Sequence, residues 1–293
     1  MRHIEHPGPV AAQRRCVVPC GIRHAEVTLP PGQSLLGALA AVFAANDATS
    51  GVARLRGGSF GPFAYCMPAL SPTPAHAVYF SDTHKPQGRV RLESAAVTMG
   101  LRDAQPWLHC HGIWHDENGE RLGGHVLPAD AIISEPIDAS VWFLDGAAFD
   151  VLPSPETGFS LFEPVADRAA RPSDEGPFVM AIRPNEDFCS ALEAECRARG
   201  IARARVHGGV GSLIGVTFDD GTEVLPFVTE AFIREGIVTT TESGGLTAQI
   251  DVSLVDYLGK LSEGRLRRGE NPVLVTFELL VEPVEPEKAL PQG

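Results

Sequence analysis

Four of the ten histidines in this 293-residue chain fall within residues 109–125, in the stretch WLHCHGIWHDENGERLGGHV that runs from Trp107 to Val126. Imidazole is a ligand for divalent transition metals and a proton carrier near neutral pH, so what these residues can do depends on which of them share a face. His109 and His111 stand at i and i+2, which on a β-strand point to the same side. Asp116-Glu117-Asn118-Gly119 is a turn signal, because Asn and Gly accept the positive φ that hairpin loops need. A hairpin centred near Asn118 sets His111 opposite His125 and makes His109 the diagonal neighbour. Opposed Cβ atoms lie about 4.5–5.5 Å apart and diagonal ones about 7–8 Å, near enough for three imidazoles to meet at one ion.

The expectation is a metal site of His109, His111 and His125 with an open fourth position, the usual arrangement of catalytic zinc. Imidazole donors also accept Fe, Ni or Cu. Leu108, Cys110 and Trp114 then point to the opposite, apolar face. The plainer reading, two polar residues on a solvated strand face, does not call for a third histidine at the matching cross-strand position. Gly123-Gly124 before His125 lets something approach the backbone closely. His115 reads as a turn or rim residue that could touch a ligand. Arg56, beside a glycine cluster, is a candidate anchor for a substrate carboxylate, against the simpler reading of a surface ion pair.

The elements that position these residues are legible in outline. Arg23–Leu29 alternates as a first strand, and Ser34 caps a helix whose apolar residues Leu35, Leu36, Leu39, Val42 and Phe43 lie on one face. Short strands follow at 52–55 and 77–80, a longer one at 89–99, then the histidine hairpin and a closing strand within 131–144. The second half repeats this order. Asp187 caps a helix carrying Phe188, Ala191, Leu192 and Cys196, Gly208-Gly209 repeats Gly57-Gly58, and Asp256, Gly259 and Gly264 repeat Asp116, Gly119 and Gly124. That is an internal duplication. At the metal positions the second copy has Gln249, Asp251 and Arg265, so it lacks all three ligands, and Asp251 with Arg265 would form a cross-strand ion pair. Its role would be structural, regulatory, or to wall one side of the first copy's site.

His109, His111, Asp116, Gly119, Gly123, Gly124, His125 and Val126, preceded by the strand Gly88–Ser94, resemble the motif of the plants-and-prokaryotes-conserved (PPC) domain, especially its bacterial and archaeal members. The resemblance implies an α+β fold, two tandem PPC-like domains each built of a mostly antiparallel β-sheet packed with one main helix. α-Acetolactate decarboxylase, related in fold, binds zinc through a similar histidine set. The resemblance also implies a homo-oligomer, a trimer or, with two copies per chain, a dimer. The expected division is a metal-bearing domain at 17–150, a Pro- and Ser-rich linker at 151–176, a degenerate domain at 177–283 and a disordered tail at 284–293.

Composition narrows the function. Hydrophobic residues at 44% and charged residues at 21% describe a globular protein, and no apolar run approaches the length of a membrane span. The N-terminal MRHIEHPGPVAAQRR lacks the apolar core of a signal peptide, which makes a cytoplasmic location the default expectation. The six cysteines include no CxxC pair and read as free thiols. Net charge is −13, with −3 in residues 1–150 and −10 in 151–293. A nucleic-acid binder rests on a basic surface, so direct nucleic-acid binding is not expected. Two functions stay open: a zinc (or other divalent transition metal) enzyme acting on a small carbonyl or carboxylate metabolite, of lyase or hydrolase type, and a non-catalytic regulatory or oligomerisation protein with a structural or ligand-sensing metal.

Overall fold

A computed structural model of the protein describes residues 1–167, 173 and 175–284. The first half runs through β1 (Arg15–Pro19), β2 (Gly21–Leu29), α1 (Leu35–Ala45), β3 (Gly51–Arg56), β4 (Ser59–Phe60), β5 (Tyr65–Cys66), β6 (Pro68–Leu70) and β7 (Val78–Phe80). It continues through β8 (Val90–Arg102), β9 (Gln105–His115), β10 (Arg121–Val126), β11 (Ile133–Glu135), β12 (Ile137–Asp145), β13 (Ala147–Pro153) and β14 (Ser160–Ala166). The second half comprises β15 (Phe178–Ile182), α2 (Phe188–Ala198), β16 (Ala204–Thr217), β17 (Glu223–Thr240), β18 (Leu246–Asp256), β19 (Leu261–Arg265) and β20 (Val273–Pro283).

Two sheets result, and they follow one path. The first is ordered β2-β12-β3-β8-β9-β10 and the second β15-β20-β16-β17-β18-β19, the same strands in the same places. Local chemistry repeats with them. Ser34 caps α1 by accepting the Gly37 N–H at 3.1 Å, and Asp187 caps α2 by accepting that of Ser190 at 2.9 Å. Asp116 Oδ1 accepts the Asn118 and Glu120 N–H groups, while Asp256 Oδ1 accepts those of Leu258 and Lys260. Gly119 and Gly259 close these two turns at φ 85° and 83°, a region open to glycine without a Cβ penalty. The α+β tandem fold read from the sequence is the observed one.

Alternation in the strands sorts the apolar residues into layers. Leu35, Leu39 and Phe43 of α1 pack on Leu55, Val97, Cys110 and Val141 of the first sheet, and Phe188 and Leu192 of α2 pack on Met180, Ile250 and Leu279 of the second. Residues of the other parity meet between the sheets: Ala96 and Ile113 touch Val210 and Phe232, and Val52 sits with Val179 and Leu280. The order is therefore helix, sheet, sheet, helix. His109 and His111 share the parity of Ile113, so they face the interior between the two sheets.

The halves are interleaved more than the expected division allows. β1, whose last three residues fall inside a domain expected to begin at 17, pairs antiparallel with β15 of the other sheet. Residues 1–16, outside the expected division, are tied to the second half: Arg2 donates to Thr217 Oγ1 at 3.0 Å, and the Ile4 N–H to Asn185 Oδ1 at 2.9 Å. The segment 151–176, read as a linker, contains β14, which pairs with β13 and buries Phe162 beside Phe149. The Phe162 ring stands edge-on to that of Phe149, 6.2 Å between centroids. Residues 168–172 and 174 of that segment, and 285–293 of the expected tail, lie outside the described residues. Among the described residues no helix is long and apolar enough to cross a membrane.

Candidate metal centre

β9 and β10 form the hairpin in the register expected from Asn118, with His111 opposite His125. His109 Nε2 lies 3.1 Å from His111 Nε2, which lies 3.3 Å from His125 Nδ1. One ligand atom from each histidine falls within 4.8 Å of the other two. Cys110 and Trp114 on the opposite face are fully buried in the core.

The remaining nitrogens fix where the protons sit. His111 Nδ1 is 3.0 Å from the carbonyl oxygen of Ala231, and His109 Nδ1 is 2.8 Å from Glu278 Oε2. A carbonyl and a carboxylate accept and do not donate, so both Nδ1 atoms carry the hydrogen. In the neutral rings the two Nε2 atoms then present lone pairs that face each other at hydrogen-bond distance. Lone pairs so placed repel unless a cation lies among them, and this donor set fits a divalent transition metal.

The surroundings keep His125 and His111 neutral. Burial, then the charge of His109, pulls His125 down to about 3. Burial first, then His109 and His125, holds His111 well below its ordinary value. Neutral imidazole is the form that binds metal. The thiols are not competitors, since burial raises Cys16 to about 11 and Cys20 to about 12; among the described residues all cysteines are free.

Both partners of the histidines come from the other half: Ala231 from β17 and Glu278, 1% exposed, from β20. Glu230, next to Ala231, also reaches the site, with Oε1 3.9 Å from His111 Nε2, and burial pushes its carboxyl well above the usual carboxylate range. Only the backbone N–H of His125 acts against that shift. Sequence reasoning missed both acids, although each leaves a trace: a lone glutamate in an otherwise apolar strand, as VTEAFI and VTFELLV, is a buried charge in want of a partner.

The three histidines and two acids line a cavity of about 150 Å³ between the sheets. Its walls include Phe80, Trp107 and Phe159, and Phe80 packs edge-on against the His125 ring at 5.2 Å between centroids. The two other expected site residues are not there. Arg56 ends β3 as an exposed side chain at the register position of Asp138 and Ser94. His115 ends β9 opposite Arg121, with Nε2 4.0 Å from Glu93 Oε2. Neither lines the cavity. Gly123 and Gly124 do mark close approaches: a Cβ on Gly124 would stand 2.5 Å from the Cys66 carbonyl oxygen, and one on Gly123 2.8 Å from Leu261 of the second half.

Comparison with known proteins bears on the scaffold. No curated protein matches the chain. A PPC protein of Pyrococcus horikoshii aligns at 16% identity over 54% of this chain and 100% of its own, with a TM-score of 0.40. A metal-containing protein of Archaeoglobus fulgidus aligns at 15% identity over 55% and 99%, also at 0.40. A candidate DNA-binding protein of Bacteroides thetaiotaomicron aligns at 16% identity over 49% and 96%, at 0.38. The family model of the Plants and Prokaryotes Conserved (PCC) domain matches residues 170–285, the half without His109, His111 and His125. Residues 170–285 thus carry the PCC-domain match, and the first half repeats that half's sheet order strand for strand.

Proposed function

We propose that His109, His111 and His125 hold one divalent transition metal, zinc by its donor set, and that the centre serves the conversion of a small carbonyl- or carboxylate-bearing metabolite by a lyase- or hydrolase-type reaction. The observation that carries this is the fixing of both Nδ1 protons by Glu278 and Ala231, which leaves lone pairs converging on one point. An ion there would supply Lewis-acid polarisation of a carbonyl. The chain's own residues do the rest. Glu278 and the Ala231 carbonyl orient the imidazoles, and Phe80, Trp107 and Phe159 give the cavity apolar walls that restrict water around a small ligand. Elemental analysis of the purified protein, chelation with thermal melting, and a crystal structure with anomalous scattering at metal edges test the reading. Stoichiometric metal and a lower Tm on chelation are expected; substoichiometric metal with an unchanged Tm would overturn it.

A second reading is a non-catalytic regulatory or oligomerisation protein with a structural or ligand-sensing metal. Leu225 and Leu258, 75% and 70% exposed, are apolar side chains that contact between copies would cover, as a trimer or dimer. His111→Ala separates the two: loss of turnover with the oligomer intact favours the enzyme. The net charge of −13 argues against direct nucleic-acid binding in either case, and the proposed location is cytoplasmic.

A further inference from the structure

The histidines' own bonding leaves one side chain of the site without an explanation. Glu230 is 6% exposed, and its Oε2 is buried without a hydrogen-bond partner among the described residues. Its Oε1 faces His111 Nε2 at 3.9 Å. That nitrogen has no proton to donate, because the Ala231 carbonyl holds the hydrogen at Nδ1. Among the described residues no lysine or arginine pairs with Glu230. A buried carboxyl with one oxygen unpartnered and an imidazole lone pair therefore face each other with no lysine or arginine between them, and a cation placed there would satisfy both.

We infer that Glu230 is the fourth protein ligand of the metal, making a centre of three imidazoles from the first half and one carboxylate from the second. This inference rests on the metal reading above. Bonds of about 2.0–2.2 Å place two ligands of one tetrahedral ion about 3.3–3.5 Å apart. The separations of 3.1, 3.3 and 3.9 Å around His111 Nε2 lie on both sides of that span. Glu230 precedes Ala231, so one short stretch of β17 supplies both the carboxylate and the carbonyl that sets the His111 tautomer. A zinc ion with these four ligands can still expand to five and meet a small molecule from the cavity. The oxygen donor favours ions that take imidazole and carboxylate together, such as zinc, iron or manganese, over monovalent copper.

The test is metal titration of the full chain with Zn²⁺ and Co²⁺, comparing wild type, Glu230→Gln and Glu278→Gln. Wild type should bind one ion per chain; if it binds none, the metal reading itself fails. Glu230→Gln should weaken zinc binding by about 100-fold or more and shift the visible bands of bound Co²⁺. Glu278→Gln, which alters only the orientation of His109, should weaken binding by about 10–100-fold and leave those bands in place. Glu230→Gln with unchanged bands and affinity would overturn the inference while leaving the three-histidine site standing. A crystal structure of the zinc-loaded wild type gives an answer independent of any variant: a Glu230 oxygen within about 2.2 Å of the ion supports it, and one beyond hydrogen-bond distance sinks it.

Discussion

The hairpins β9–β10 and β18–β19 are one structure with two chemistries. Both turn on an aspartate that accepts two backbone N–H groups and on a glycine at positive φ, and both set their key residues directly opposite each other. In the first, the opposed pair is His111 and His125; in the second it is Asp251 and Arg265, joined at 2.9 Å. The fold therefore does not need the histidines, and their presence in one copy requires a chemical reason. The difference extends beyond the pair. His109 and His111 look inward, onto a carboxylate and a carbonyl of the other sheet, whereas Gln249 and Arg265 are exposed. Duplication has let one copy keep donors while the other supplies the groups that aim them.

His111→Ala should have the largest effect. The comparison predicts loss of essentially all bound metal by elemental analysis, with the far-UV circular dichroism of the wild type, since the second hairpin folds without a histidine there. Collapse of the fold would mean the two hairpins are not equivalent scaffolds. The converse graft is next in size. Gln249→His with Asp251→His and Arg265→His rebuilds the ligand types on the second hairpin, but without a Glu278 or Ala231 to fix the tautomers. Its zinc affinity should fall about 10–100-fold or more short of the native centre. Equal affinity would show that ligand spacing alone makes the site.

How much of this the sequence shows follows from which interactions are local. The His111–His125 register is legible because a turn signal and a period of two fix it within fifteen residues. The second copy is legible through residues whose backbone roles are strict, such as Asp187 at a helix cap and Gly259 in a turn. Glu278 is not, because it meets His109 across 169 residues and only after two sheets stack. The same holds for β1, which joins the sheet of the other half, and for Phe162, whose burial converts an apparent linker into a strand. Arg56 does not line the cavity for a related reason: the first sheet's edge-to-edge order, not the nearness of glycines, decides which residues reach it.

Acidity separates the halves by a smaller margin. In the metal-free chain, folding holds His125 at about 3 and His111 well below 6.5, while both take up protons near 6.5 once unfolded. The unfolded state then binds more protons below 6.5, so stability is fully present above that pH and is lost as pH falls toward 3. Denaturant melts of the apo protein at pH 7.5 and pH 5 should show the lower midpoint at pH 5, and the drop should shrink in His111→Ala. An undiminished drop would place the sensitive groups elsewhere.

The smallest effect belongs to the pair that replaced the ligands. Arg265 donates to both oxygens of Asp251, at 3.1 and 2.9 Å, but its side chain is 44% exposed and that of Asp251 27%. A water-exposed pair gains little Coulomb energy, spends side-chain entropy and is screened by salt, so Arg265→Ala should cost no more than about 1 kcal/mol by chemical denaturation, and less at high ionic strength. Metal content should not change, because none of the three histidines touches this hairpin's opposed pair. A loss of metal on Arg265→Ala would mean that the second hairpin acts on the first through the shared interior, and the two would no longer be independent copies of one element.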